Sequence, residues 1–522
     1  MLTFSCTYFK KYIAGFTLIG SLVVLSVGCD KSISEPDITP AAPASIDETG
    51  GSWKPILLSS SSAIPLPAPL ATTTAEYQAE LQEVKSMQGN LTDEMKKSVQ
   101  YWAANPVLRW NEITRELVAK YNLAPASNPD GTYSAPDATN PTVYPLFPFS
   151  NPPYASRAYA MLTVAQYDAL VAAWKYKYEH NRPTPSTVDG SITSLVPSTS
   201  LPSYPSEDAV IAAASLTILK ALFPGEVEYL NAKAAEHKNS RLWAGANVKS
   251  DLAAGDSLGR KVAMQIMARA KADGMGAAAG NKDIWKAYEE ATKARGEIPW
   301  MSQEIPARPP QLMSFGKVKP WMLTDADVVA LRPSPPPATS SAEFKQALQE
   351  VKNYSENITR EQFRIVSFWA DGVGTYTPPG HWNAIASDII VKNRMNPLRT
   401  ARTLALMNTA MADAAICTWD VKYMFYLPRP SQIDPTIKTA TGLPNFPSYT
   451  SGHSTFSGAA ATVLSYVFPE EKSKVEAMAN EASVSRIYGS IHYRFDCEVG
   501  LQCGKNIAAF AVEKGKADGS AQ

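Results

Sequence analysis

The sequence predicts an all-α protein made of two tandem-duplicated helical bundles of the four-helix type. Three observations predict it. Long stretches, of which Arg402 to Tyr426 is the clearest, are rich in Ala, Leu and Met and run on without Gly or Pro, as a stable helix requires. The alternation of apolar and polar residues that marks a half-buried strand is nearly absent. The third observation is that the chain matches itself.

The match runs in two registers. Ala75-Glu76-Tyr77 and Leu81-Gln82-Glu83-Val84-Lys85 recur 267 residues later as Ala342-Glu343-Phe344 and Leu348-Gln349-Glu350-Val351-Lys352. The same offset carries Tyr101-Trp102-Ala103 onto Phe368-Trp369-Ala370, and shortly after Trp110-Asn111 matches Trp382-Asn383. Further on the offset becomes 245. Arg157, Asp168, Trp174 and Lys177 fall on Arg402, Asp413, Trp419 and Lys422. Pro202-Ser203-Tyr204 falls on Pro447-Ser448-Tyr449, Ser240-Arg241 on Ser485-Arg486, and Asp251 on Asp496. Shared helix composition does not hold one register over so many positions.

Residues 1–29 read as an export signal. Lys10 and Lys11 precede the mostly apolar run Tyr12 to Val27, which is short for a membrane span. The run ends at Leu25-Ser26-Val27-Gly28-Cys29, which resembles a bacterial lipoprotein signal with Cys29 as the lipidated residue. Ser26 stands where such signals usually carry Leu, and the alternative reading is a plain secretory signal with an incidental Cys. Residues 30–71, rich in Ser, Pro, Ala and Thr, read as a flexible tether. Residues 72–295 form the first bundle, 296–338 a Pro-rich linker, and 339–519 the second bundle. Within the second, Ser454 to Phe468 and Glu470 to Tyr488 read as helices. The 49 basic residues balance 49 acidic ones in a chain of 522 residues, so bulk charge recruits no nucleic acid. Cys417, Cys497 and Cys503 have no zinc-ligand spacing and are expected to be buried free thiols.

Chemistry concentrates in three blocks of the second copy, which place a single active site there. The first is Lys422 followed by Arg429-Pro430. The second is Phe446-Pro447-Ser448-Tyr449-Thr450-Ser451-Gly452-His453. The third is Ser485-Arg486, His492 and Asp496. Lys422, Arg429 and Arg486 supply three cations, and a guanidinium can grip two oxygens at once. Ser451-Gly452-His453 reads as a loop entering a helix, where backbone N–H groups and the helix dipole favour an anion. Gly452 allows close approach of a ligand. If the stretch around His492 is helical, Asp496 shares a face with it and holds one imidazole nitrogen, leaving the other free as nucleophile or ligand. His453 is a second imidazole, suited to acid/base work. The sum is a pocket for a tetrahedral oxyanion.

Together, in this order, the blocks resemble the signature of the superfamily of type 2 phosphatidic acid phosphatases, bacterial acid phosphatases and vanadium haloperoxidases. The resemblance implies that His492 ligates vanadate in a haloperoxidase or is phosphorylated in a phosphatase. Lys422, Arg429, Arg486, Ser451 and the Gly452 amide would bind the equatorial oxygens, His453 would be the acid/base, and Asp496 would orient His492. The flanks are similar to fungal-type vanadium chloroperoxidases: Trp419 three before Lys422, Phe446 seven before His453, and Phe368-Trp369-Ala370-Asp371 with Thr377-Pro378-Pro379. By that likeness Asp371 would support Arg429. Leu427-Pro428 and Thr450 depart from the pattern. The implied activity is halide oxidation by peroxide at a histidine-bound vanadate. The alternatives are hydrolysis of phosphomonoesters or lipid phosphates through a phosphohistidine, with no cofactor, or a non-catalytic binding or structural role. The implied setting is a bacterial envelope, lipid-anchored and facing the periplasm or exterior.

In the first copy the imidazoles are gone. Gly452-His453 becomes Glu207-Asp208, His492 becomes Asn247 and Asp371 becomes Ala104, while Lys177, Arg182 and Arg241 remain at or near the cationic positions. Buried cations need partners. Glu207 or Asp208 is therefore expected to stand in for the lost anion against Arg241 or Arg182, with no open anion cavity.

Overall fold

A computed structural model describes residues 37–197 and 199–520, so Cys29 and the rest of the leader lie outside the described residues. In the first copy the helices are α1 (Ala75–Gln88), α2 (Asp93–Ala103), α3 (Pro106–Tyr121), α4 (Pro152–His180), α5 (Pro185–Val188), α6 (Glu207–Leu222), α7 (Val227–Trp243) and α8 (Lys249–Lys271). Between the copies lie α9 (Lys282–Ala294) and α10 (Asp325–Ala330). The second copy repeats the series as α11 (Ala342–Asn357), α12 (Arg360–Phe368), α13 (Thr377–Lys392), α14 (Pro397–Phe425), α15 (Pro430–Ile433), α16 (Gly452–Val467), α17 (Lys472–Tyr488) and α18 (Arg494–Lys516). From α4 to α8 each helix recurs with the same length 245 residues later as α14 to α18. No strand occurs among the described residues.

The two longest helices form the centre. Each starts at an Asn whose side chain accepts a backbone N–H, Asn151 from Tyr154 and Asn396 from Arg399, with Pro in the first turn. Each ends in a left-handed residue, Asn181 or Tyr426. In both, 24 of the 29 residues are buried, so neither has a solvent face and each needs neighbours all round. They find them in one another and in the helices of their own copies. The chain from Pro36 onward is accordingly one compact unit.

Within each copy a close helix crossing positions the site. A Cβ on Gly504 of α18 would lie 2.1 Å from the Thr455 carbonyl oxygen of α16, and one on Gly259 of α8 would lie 2.2 Å from the Val210 oxygen of α6. Only Gly permits this approach. It brings the first turn of α18 against that of α16, where Ser451 N donates to Asp496 O at 2.9 Å; Ser206 N and Asp251 O repeat the bond at 3.1 Å.

The structure corrects one expectation about the connecting segments. Residues 37–71 are no flexible tether. They are a strap laid along α4, in which Ile56, Leu57 and Leu58 donate their N–H groups to the buried Asp168 carboxylate at 2.7–2.8 Å. The Pro-rich linker is the same strap repeated, with Trp321, Met322 and Leu323 bonded to Asp413. Low periodicity made the first read as loose chain. A buried carboxylate on the neighbouring helix satisfies their backbone instead of a regular ladder.

Candidate active site

The site forms where the α16 N-terminus, the turn before α18, and the segment after α14 converge. Ser451 is the N-cap of α16, its side chain accepting from Ser454 N, so Gly452 and His453 open the helix. Their N–H groups have no intrahelical acceptor and face outward with the positive end of the dipole. A Cβ on Gly452 would meet no atom closer than 3.8 Å, so the space beside it is cleft rather than protein.

His492 lies in the turn just before α18, not on a helix face with Asp496 as the spacing suggested. The contact is made all the same, through the helix cap. Asp496 Oδ2 accepts from His492 Nδ1 at 2.8 Å and from Tyr493 N at 3.2 Å. Ser448 Oγ also donates to that oxygen, and sits 3.3 Å from His492 Nδ1. With Nδ1 bonded to the carboxylate, Nε2 is the unprotonated nitrogen, able to accept. It lies 2.9 Å from Arg429 Nη1.

The three cations are buried and differ in how they are held. Lys422 Nζ donates to the carbonyls of Pro447, Ser448 and Thr450 at 2.6–2.8 Å, fixing the loop that leads into α16. Arg429 donates to the carbonyls of Phe446 and Ile491. Arg486 donates to Ser485 Oγ, and its Nη1 is 3.2 Å from His453 Nε2. Arg486 Nη2 is buried with no hydrogen-bond partner among the described residues. Phe446 lies 5.1 Å from Lys422 Nζ and 5.3 Å from the Arg429 guanidinium carbon, and packs on Trp419.

Asp371 does not support Arg429, which is a correction to the sequence reading. Its carboxylate accepts from His381 Nδ1 at 3.0 Å and lies 3.9 Å from His453 Nε2, and its charge acts on Arg486. Arg429 is satisfied by carbonyls and His492 on the opposite side of the pocket, which leaves Asp371 to the Arg486 side.

Burial dominates the electrostatics. It pulls Arg429 and Arg486 down to about 10, so both stay charged at neutral pH. His492 is held well below the usual imidazole range by burial and by Arg429, Lys422 and Arg486. His453 is held down likewise by burial and Arg486. Burial pushes Asp496 up to about 6, against the bond from Ser448 and the charges of Lys422 and Arg429. Burial and Arg429 push Lys422 well below its ordinary value too, and these three basic groups face two carboxylates, Asp496 and Asp371. The excess positive charge, the unpartnered guanidinium N–H and the helix N-terminus all fit a tetrahedral oxyanion.

The first copy shows what the cradle accepts. Glu207, at the position of Gly452, places a carboxylate oxygen 2.7 Å from Lys177 Nζ. Asp208 accepts from His237 at 2.8 Å and lies 3.9 Å from Arg241. Arg182 faces Asp251 at 3.5 Å. The expected stand-in is therefore present, chiefly as Glu207 on Lys177. A cavity of about 160 Å³ lined by Glu207, Asp208 and Arg241 nevertheless remains beside it. This corrects the expectation of none: the Glu207 side chain fills the inner cradle and leaves the outer cleft.

Sequence reasoning missed Ser448, His381 and the walls of the cleft. Ser448 had a signal, its repetition as Ser203, which also reaches an Asp, Asp251, at 3.4 Å. Phe149 and Pro152 of the first copy, with Gln311 of the second strap, line the same cleft as His453 and His492. Such long-range neighbours leave no local pattern. Of the three free thiols among the described residues, Cys417 and Cys497 are buried and Cys503 is partly exposed.

An all-helical pair of bundles around a buried oxyanion cradle with two imidazoles defines the class of protein. Residues 403–516 match the family model of the PAP2 superfamily. The match lies within the second copy, and members of that superfamily, haloperoxidases and phosphatases among them, are enzymes. The crystal structure described as the first bacterial vanadium-dependent iodoperoxidase superposes with a TM-score of 0.54 at 27% sequence identity, covering 70% of this chain and 91% of that one. That of a holo-type bacterial vanadium-dependent chloroperoxidase superposes with a TM-score of 0.50 at 12% identity, covering 76% and 100%, a likeness of fold alone. No curated protein sequence matches significantly.

Proposed function

We propose that the protein is a vanadium-dependent haloperoxidase that oxidises halide with hydrogen peroxide. The observation that carries the reading over a phosphatase is the extent of the likeness to the bacterial iodoperoxidase: it covers 70% of the chain, which is more than the catalytic copy alone. Trp419 and Phe446, packed over the cationic side of the pocket, support it.

The residues fit vanadate. His492 Nε2 would be its protein ligand, and Arg429, Arg486 and the N–H groups opening α16 would hold its oxygens. Bound there, vanadate would activate peroxide for two-electron oxidation of a halide. The chain's own residues do the rest. Asp496 fixes the His492 tautomer with Nε2 toward the anion. Lys422 holds the Pro447–Thr450 loop with all three of its N–H groups; its counterpart Lys177 keeps one such bond, to the Pro202 carbonyl, while bonding a carboxylate, so Lys422 would exchange a carbonyl for an anion oxygen to act on it directly. His453 is neutral at neutral pH and can take a proton from an incoming peroxide.

The test is a paired assay of purified protein: vanadate, peroxide and iodide or bromide in one arm, a generic phosphomonoester in the other. Vanadate-dependent halide oxidation, inhibited by phosphate, is expected. Brisk ester hydrolysis that vanadate only inhibits would overturn the reading in favour of a phosphohistidine enzyme. The site's location at the cell envelope, through lipidation of Cys29, is part of the proposal. Cys29→Ala should move the protein from the membrane fraction to the soluble one.

A further inference from the structure

The first copy keeps a second cleft, built from the same elements as the one over His492. Glu207, Asp208 and Arg241 line it where Gly452, His453 and Arg486 line the other. One wall again comes from the opposite copy, Asn396 and Pro397 here, Asn151 and Pro152 there. With both imidazoles of the second-copy pattern replaced, this cleft cannot repeat that chemistry. It keeps instead three charged side chains, each held from behind and each with one atom to spare.

Asp208 is aimed by a buried relay. Trp110 Nε1 donates to His237 Nδ1 at 3.1 Å, which leaves the imidazole proton on Nε2, and that nitrogen donates to Asp208 Oδ1 at 2.8 Å. Oδ2 has no hydrogen bond among the described residues. Glu207 Oε2 is 2.7 Å from Lys177 Nζ, and its Oε1 is likewise unbonded. Arg241 donates Nε to Ser240 Oγ and Nη2 to the Val99 carbonyl. Its Nη1 makes no hydrogen bond among the described residues and, unlike Arg486 Nη2, is not enclosed by protein. The side chains of Glu207, Asp208 and Arg241 are 18%, 10% and 4% exposed, so the spare atoms can be reached from the cleft. A guanidinium N–H buried to this degree without an acceptor is unfavourable, and a ligand oxygen would supply one.

We propose that this cleft binds a neutral polyhydroxy ring, a monosaccharide or cyclic polyol, through the free carboxylate oxygens of Glu207 and Asp208 and the free guanidinium N–H of Arg241. Charge selects a neutral ligand. Glu207 is paired with Lys177, Asp208 lies opposite Arg241, and Arg182 faces Asp251. An anion would meet two carboxylates and a cation would meet Lys177 and Arg241, each losing its hydration with no net charge to gain. A hydroxyl donates to a carboxylate and accepts from a guanidinium, so neighbouring hydroxyls of one ring can serve Asp208 and Arg241 together across the 3.9 Å between them. Size selects one ring: the cavity is about 160 Å³, and about 150 Å³ admits a six-membered ring. Pro43, Pro106, Leu201 and Met395 supply apolar surface for its C–H face. Binding here is independent of what the second copy catalyses.

Titration of the full chain with myo-inositol and with D-glucose tests this, read by calorimetry and by ligand-observed magnetic resonance. Saturable binding of at least one of them at about millimolar concentration is expected. Glu207→Gln and Arg241→Gln should each weaken it about tenfold, as loss of a charge-assisted hydrogen bond does, with melting temperatures reporting that the variants fold. Ala246→Phe fills the cleft without touching the charged groups and should abolish binding, which keeps the test decisive if the other two are unstable. His492→Ala should bind as the parent does, which separates this cleft from the oxyanion site. The proposal is overturned if neither polyol binds saturably, if folded cleft variants bind like the parent, if His492→Ala loses binding, or if glycine or sulfate displaces the polyol at equal concentration.

Discussion

His492 and His453 are kept neutral by different neighbours, and this makes their behaviour separable. His492 shares its proton with Asp496 and lies among three cations. His453 lies between Arg486 and the Asp371–His381 pair. His492→Ala and His453→Ala should each lower turnover by about 10²- to 10⁴-fold, the span usual for a lost nucleophile-ligand or general acid/base, with unchanged circular dichroism. A folded His492 variant with near-normal activity would remove the site assignment. The pH dependence of stability has a sign that can be worked out. The His453 imidazole is depressed in the folded state, so near and below its ordinary value of about 6.5 the unfolded chain binds the extra proton. Its stabilising contribution is complete above that value and is lost as pH falls through the folded one. Asp496 acts in the opposite sense, because its folded value is raised to about 6: its contribution is present at low pH and is lost as pH rises. The His492–Asp496 pair therefore partly cancels, and His453 gives the readable slope. His453→Gln should flatten the melting-temperature profile between about pH 5 and pH 7; an unaltered profile would mean that the imidazole is not buried in its neutral form.

The first copy is an internal control for what each element does. α6 and α16 begin at equivalent points, and the residue after the N-cap decides what fills the cradle: the Glu207 carboxylate in one, open space beside Gly452 in the other. Gly452→Glu should therefore close the site from within. Its carboxylate would reach Lys422 as Glu207 reaches Lys177, abolishing oxyanion binding while leaving the melting temperature unchanged or higher. Loss of the fold instead would show that the two cradles are not equivalent. The straps have a similar pairing. Asp413 holds three backbone N–H groups of the segment that carries Gln311, and Asp413→Ala leaves them unpaired beside α14. A destabilisation of about 3 kcal/mol is expected by urea titration; a change under about 0.5 kcal/mol would mean that the strap does not depend on the carboxylate. These elements also mark what was legible in the sequence. Helices, their caps and the three blocks that form the candidate site carry local patterns, and duplication made Lys422, Arg486 and Asp496 visible twice over. The straps carry none. Their bonds run to Asp168 and Asp413, 110 and 90 residues away in the closest register, and composition without period resembles a tether whether or not a distant carboxylate waits for it. Asp371 was placed on the wrong Arg for the same reason: sequence fixes neighbours along a helix, not across a pocket.

At the scale of the whole molecule, the degenerate copy is retained for two physical reasons. It buries α14, and it supplies one wall of the cleft. α4 and α14 pack together as the central pair, each buried for 24 of its 29 residues. The outer ends of both are anchored the same way: Arg157 bonds Asp273 and the Ala270 carbonyl, and Arg402 bonds Asp518 and the Gly515 carbonyl. Cross-copy polar bonds add register, including Asn111 Nδ2 to Asn383 Oδ1 at 2.8 Å and Asn105 Nδ2 to Thr400 Oγ1 at 2.8 Å. A fragment carrying only the second copy would expose the α14 face that α4 covers, an apolar surface lined with buried Ala, Leu and Met, together with Thr400, whose Oγ1 would lose its bond from Asn105. Expressed alone from residue 296, it should be insoluble or self-associate, and it should lack activity even where soluble because Phe149 and Pro152 are missing. Co-expression with residues 37–295 should restore a soluble complex, since the interface is a helix pair with its strap and needs no covalent link to form. Size-exclusion chromatography with light scattering reads both outcomes. A monodisperse, monomeric second copy that oxidises halide at the full-length rate would show that the catalytic bundle folds and works without its partner, and that the first copy is cargo rather than structure.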